Sequence, residues 1–201
     1  CKGFFLSFFS FYAILETICE GFFGRGEDMA FGFPLYIDLN GNNCVVLGGG
    51  DYAADKVDTL LQFGAKVTVI SPALCGRLQE LDKTRAIRYI PRRYYRGDCT
   101  NAYICVAATG TESVNIAISD ECKAKGIPVN VSKPAAFGNY AFPQVVLRGN
   151  ISLAVSGSAP QALQSRLRDL LESRLPELLQ ALEDAPEAGS VESAHSNEEA
   201  L

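Results

Sequence analysis

Gly48-Gly49-Gly50 stands directly after the apolar run Asn43 to Leu47 and directly before a stretch with helical spacing. Glycines at such a junction let backbone amides come close to a phosphate, and Gly48-x-Gly50-x-x-Ala53 fits the dinucleotide fingerprint. One glycine serves the tight turn, one the approach of a pyrophosphate, and Ala53 the close packing of helix on strand. Asp51 and Tyr52 open the helix, whose free amides and dipole would face the phosphates. The acid that usually takes the ribose hydroxyls at the end of the second strand is missing, because Ile70 and Ser71 stand there. The choice between NAD and NADP therefore stays open. Arg77 is near enough in sequence to meet a 2′-phosphate, although a surface arginine is the preferred reading.

Other chemistries are narrowed by composition. The single histidine, His195, lies in a polar tail, so triads and metal clusters built on imidazole are removed. The seven cysteines contain no Cys-x-x-Cys pair and have apolar neighbours, which reads as reduced packing thiols in a cytosol, with neither zinc nor a disulfide framework. The net charge of −5 is concentrated in residues 176–201, which hold seven acidic residues and no lysine or arginine. Arg85, Arg88, Arg92, Arg93 and Arg96 alternate with Tyr89, Tyr94 and Tyr95. This patch reads first as a solvated face, second as an anion site and a distant third as a nucleic-acid surface, because the chain is not basic overall; no nucleic-acid partner is expected.

The elements that must position these groups follow from hydrophobic period. Ala53, Ala54, Val57, Leu60 and Leu61 share a helix face, Gly64 ends it, and Lys66 to Ile70 is a second buried strand. Ala86 to Pro91 and Ala102 to Ala108 are further strands, Glu112 to Lys125 a helix, and Ile127 to Val131 the next strand. This alternation predicts an α/β fold, a Rossmann-type doubly wound parallel sheet, with ligands at the carboxyl ends of its strands. Pro143 to Leu147 and Ile151 to Ser156 flank Arg148-Gly149-Asn150 as a hairpin, and a leucine-rich helix follows Pro160. A lone hairpin is marginal, so a homodimer is expected. The predicted organisation is an extension outside the fold at 1–28, a nucleotide domain at 29–141, a dimerisation hairpin at 142–159, a helical segment at 160–183 and a disordered acidic tail at 184–201. The uncharged run Gly3 to Leu15 is too short for a membrane span, and the position of Met29 suggests upstream sequence read in frame. No membrane association is expected, and the cytoplasm is the expected location.

Several segments taken together carry a family resemblance. Phe33-Pro34-Leu35-Tyr36-Ile37-Asp38-Leu39, Val45 to Gly50, Ala53-x-x-Lys56, Gly64 to Val69 with Ser71-Pro72, Ala107-Ala108-Thr109, Val129-Asn130-Val131 and Phe142-Pro143 resemble, in order, the dehydrogenase/ferrochelatase domain of siroheme synthases. The resemblance implies NAD-dependent oxidation of precorrin-2 to sirohydrochlorin, in some members followed by ferrous iron insertion, by a homodimer. It implies cofactor contacts at Gly48, Gly49, Gly50, Asp51, Tyr52, Ser71, Pro72 and Ala73, with Thr109 beside the nicotinamide. The arginines would suit a polycarboxylated tetrapyrrole.

The departures from the family concern the acid/base position. The aspartate that members carry just after the Val-Asn-Val strand is replaced by Lys133. A lysine is cationic unless desolvated and repels an incoming ferrous ion. Gly110 and Thr111 replace acidic residues after Ala-Ala-Thr, and the loop Ser156 to Pro160 is short. Three readings stand open. Hydride transfer persists with its proton passing to water, Asp98 or Glu112; Lys133 acts as the base; or the chain is a non-catalytic tetrapyrrole- or nucleotide-binding member. A dehydrogenase with chelatase activity reduced or absent is put first.

Overall fold

The structure is a computed structural model describing residues 33–157 and 159–183. The expected extension at 1–28, the acidic tail from 184, and Cys1, Cys19 and His195 lie outside the described residues.

Five strands form one parallel sheet: β1 (Asn43–Leu47), β2 (Lys66–Ile70), β3 (Arg88–Ile90), β4 (Ile104–Ala107) and β5 (Val129–Val131), in the spatial order β3-β2-β1-β4-β5. Three helices connect them, α1 (Asp51–Gln62), α2 (Gly76–Lys83) and α3 (Glu112–Ala124). The strand order reverses between β1 and β4, which opens a crevice there. The predicted strands thus exist, shortened to Arg88–Ile90 and Val129–Val131 at the sheet margins. Helix α2 was not anticipated.

β1 shows why the strands read as continuous apolar runs. Cys44 and Val46 pack with Ala53, Val57 and Leu60 of α1 and Leu78 of α2, whereas Val45 and Leu47 pack with Ile118 and Cys122 of α3. Both faces are covered, so each side of the pleat needs an apolar residue. Val57 and Leu60 are essentially inaccessible to water, each contributing about 1.5–3 kcal/mol of burial.

After a short 3-10 turn at Ala135–Phe137, β6 (Gln144–Arg148) and β7 (Ile151–Val155) form the predicted antiparallel hairpin, and α4 (Gln161–Glu183) packs against it. Tyr36 Oη donates to the Ser152 carbonyl at 3.3 Å, tying the segment before β1 to the hairpin. Among the described residues no helix is long and apolar enough to cross a membrane.

Candidate functional site

The expected cofactor residues and Lys133 stand at the carboxyl ends of strands. Gly48 to Tyr52 follow β1, Ser71, Pro72 and Ala73 follow β2, Thr109 follows β4 and Lys133 follows β5. Contacts between the loops make this a continuous structure. The Gly48 N–H donates to the Ile70 carbonyl at 3.0 Å, and the Cys75 N–H donates to the Gly49 carbonyl at 2.7 Å.

The three glycines have different jobs. Gly48 has φ +132°, and a Cβ there would lie 2.1 Å from the Ala108 carbonyl oxygen. Gly49 is closed by its neighbours, since a Cβ would meet the Ala73 carbonyl oxygen at 1.9 Å and Ser71 Oγ at 2.7 Å. Gly50 is the exception: its φ is −88°, and an added Cβ would meet nothing within 4 Å. It caps α1 without a side-chain hydrogen bond to the helix amides. Protein packing thus explains Gly48 and Gly49, and open space faces Gly50 at an uncapped helix N-terminus. Such a terminus supplies N–H donors and partial positive charge to an anion, so the residues present fit a dinucleotide pyrophosphate.

The second loop is shaped by Ser71, whose hydroxyl donates to the Ala73 carbonyl at 2.7 Å. Tyr89 Oη, from β3, donates to the Ser71 carbonyl at 3.0 Å. Arg77 is committed elsewhere: Nε and Nη2 donate to the two Asp58 oxygens at 3.1 and 3.0 Å. This matches its expected surface character.

Thr109 and Lys133 are joined by Asn115, a residue the sequence reading passed over. Asn115 is 1% exposed in the first turns of α3. Its Oδ1 accepts from the Thr109 N–H at 3.0 Å and from the Thr109 hydroxyl at 2.7 Å. Its Nδ2 donates to the Thr109 carbonyl at 3.2 Å and to the Lys133 carbonyl at 2.9 Å. Ser119, one helical turn on, donates to the Phe137 carbonyl at 2.6 Å. A polar residue on an amphipathic helix ordinarily reads as solvent-facing, and only the fold reveals these two as buried loop anchors.

Lys133 is exposed, and its ammonium has no hydrogen bond or ion pair among the described residues. Lys56 forms a second basic feature nearby in the fold. It is 7% exposed, pairs with Asp55 at 2.9 Å, and lies 5.1 and 5.3 Å from the ring centroids of Tyr52 and Phe142. Tyr52 Oη donates to Asn130 Oδ1 of β5 at 2.8 Å, and burial, reinforced by Asp55, raises its phenol above the usual range.

Asp98 is corrected as a proton acceptor. Arg92 Nη1 and Nη2 each donate to its carboxylate at 2.7 Å, and this pairing holds the carboxyl below its ordinary range. The adjoining Gly97 N–H donates to Glu121, near the carboxyl end of α3, which packs at the opposite end of the sheet from the glycine loop. Glu112 remains exposed as the first residue of α3. In the arginine patch, Arg85, Arg88, Arg93 and Arg96 are exposed, consistent with a solvated face.

Comparison with known proteins agrees with this geometry. Residues 35–144 match the family model described as putative NAD(P)-binding. The siroheme synthase of Thioalkalivibrio sulfidiphilus is 38% identical over 72% of this chain and 30% of its own length. That of Nitrosospira multiformis is 36% identical over 71% of this chain and 31% of its own. The chain thus spans under a third of the curated relatives it matches. Among solved structures, SirC, precorrin-2 dehydrogenase, superposes with a TM-score of 0.59 at 28% identity, covering 76% of this chain and 77% of that one. The chain belongs to the putative NAD(P)-binding family and is similar to part of the siroheme synthases.

Proposed function

We propose that the chain oxidises precorrin-2 to sirohydrochlorin with NAD, and that its capacity to insert ferrous iron is reduced or absent. The observation that carries the reading is the loop Gly48–Tyr52, closed by packing at Gly48 and Gly49 and open at Gly50 before an uncapped helix. NAD, when bound, supplies the hydride acceptor. The amides of Asp51 and Tyr52 bind the pyrophosphate, Ser71, Pro72 and Ala73 border the adenosine end, and Thr109, fixed by Asn115, borders the nicotinamide end. Arg77, engaged by Asp58, is not free to receive a 2′-phosphate, which supports NAD over NADP.

Lys133, held through its backbone by Asn115, faces the polycarboxylated substrate as a cation that orients carboxylates. Positioning of this kind accounts for much of a hydride transfer. The proton released goes to water or Glu112, since Asp98 is paired with Arg92. A cation where the family carries an aspartate opposes entry of ferrous iron, which is a substrate here. The second reading, a non-catalytic binding member, draws on the same Lys133.

We also propose a homodimer built on the hairpin and α4. Leu147 and Ile151 of the hairpin and Leu167, Leu170, Leu178 and Leu182 of α4 are 40–71% exposed, an apolar surface suited to a second copy.

The test is an anaerobic absorbance assay of the full chain with precorrin-2 and NAD, followed by ferrous iron. Sirohydrochlorin without accelerated siroheme supports the proposal. Tetrapyrrole binding without oxidation supports the non-catalytic reading. Lys133→Asp should raise iron insertion; a folded variant without that gain removes position 133 from the acid/base role.

A further inference from the structure

Three cysteines with no motif spacing meet in the core. Cys99 precedes β4, Cys105 lies on β4 and Cys122 on α3. All three are 0% exposed, and their sulfurs lie within 4.8 Å of one another. Val45, Ala107, Ile118 and Val129 belong to the same apolar cluster. Among the described residues no imidazole or carboxylate joins the trio as a further ligand. The adjacent Glu121 is occupied, accepting from the Tyr94 hydroxyl, the Gly97 and Cys99 amides and the Lys125 ammonium.

Three soft donors without a fourth select a thiophilic ion content with three ligands. At a metal–sulfur distance of about 2.3 Å, three sulfurs around one centre lie no more than about 4 Å apart, so a small inward movement closes the set. Net charge then discriminates among ions, because an uncompensated charge in an apolar core is costly. Three thiolates around copper(I) leave two negative charges. Around zinc they leave one, and zinc also lacks its fourth ligand. Around trivalent arsenic or antimony they leave none.

We propose that Cys99, Cys105 and Cys122 form a site for a trivalent thiophilic metalloid of the arsenite class. Arsenite arrives as neutral As(OH)3. Its three As–O bonds are replaced by three As–S bonds, and the three thiol protons leave in three waters. Arsenic stays trivalent and no electron is transferred. The product ties β4, the loop before it and α3 to one atom, so binding adds a cross-link within the core.

The test is anaerobic native mass spectrometry of the reduced full chain with sodium arsenite, in a background carrying Cys1→Ser and Cys19→Ser. The expected product carries one arsenic and has lost three protons. Cys99→Ala, Cys105→Ala and Cys122→Ala should each weaken binding at least tenfold, and Cys44→Ala, on the other face of the sheet, should leave it unchanged. The site also raises the melting temperature of the parent in arsenite, as any native-state ligand does. Circular dichroism establishes that each variant is folded, and X-ray absorption on the parent counts As–S bonds independently of any variant. No binding, loss of only two protons, two As–S bonds, or equal weakening by Cys44→Ala overturns the proposal.

Discussion

The glycine loop allows fold and ligand roles to be separated by three alanines. At Gly48 an alanine must adopt φ +132°, a conformation costing about 1–3 kcal/mol for a residue with a side chain. Its Cβ would also stand 2.1 Å from the Ala108 carbonyl oxygen. That atom belongs to the backbone just after β4, so relief requires a strand to shift, and overpacking of this kind costs about 1–3 kcal/mol. Gly48→Ala should therefore lose about 2–6 kcal/mol, a large share of the roughly 5–15 kcal/mol that holds a domain together. Gly49→Ala meets the Ala73 carbonyl oxygen at 1.9 Å and should lose stability by the same overpacking. Gly50→Ala has open space and an ordinary φ, so its stability should stay within about 1 kcal/mol of the parent. Its methyl group, however, occupies the approach to the α1 amides, and NAD affinity should fall at least about tenfold, or 1.4 kcal/mol. Urea melts and NAD titration of all three variants provide the comparison. A Gly50→Ala protein with parental NAD affinity would refute the assignment of the open face to the cofactor. A Gly48→Ala protein melting like the parent would refute the packing argument.

Three further outcomes are expected. Asn115→Leu removes the partners of part-buried Thr109 and Lys133 backbone groups, each loss costing about 1 kcal/mol; a urea midpoint near the parent's would contradict its anchoring role. Glu121 is buried, which by itself raises its carboxyl, but donors from Lys125, Tyr94 and Gly97 outweigh burial and hold it below its ordinary value. Its stabilisation is thus present above an unfolded pKa of about 4.3 and lost as pH falls through the folded value, so Glu121→Gln should flatten the acid limb of stability against pH. An unchanged acid limb counts against this. Arg77→Ala breaks an exposed pair with Asp58 and should change stability by less than about 1 kcal/mol without altering NAD affinity; a clear loss of affinity would place Arg77 at the cofactor after all.

Local pattern carried the strands, α1, α3 and the loop at Gly48, because each buries a face with a regular period. The segment Gly76–Lys83 failed that test: only Leu78 is buried, its residues are mostly polar, and Cys75 caps it without a side-chain hydrogen bond. The carboxyl-end loops were legible through the strand order that alternation implies. Their internal bracing was not, since Asn115 and Ser119 become anchors only when β4, β5 and α3 are assembled. For the same reason the spacing of Cys99, Cys105 and Cys122 gave no hint of a cluster. Asp98 was weighed as a base from residue type alone, and its bidentate pairing with Arg92 is a tertiary fact.

The lengths of the strands also govern where another chain can add. The parallel sheet ends on β3 and β5, three residues each, with Pro91 directly after the first and Pro128 directly before the second. Short margins bracketed by prolines offer few unpaired backbone groups to a neighbouring strand. The hairpin differs, since β6 and β7 are five residues each and, among the described residues, pair only with one another. Strand addition between molecules is thereby steered away from the nucleotide fold and toward the hairpin, leaving the glycine loop and its neighbours at the carboxyl ends unobstructed.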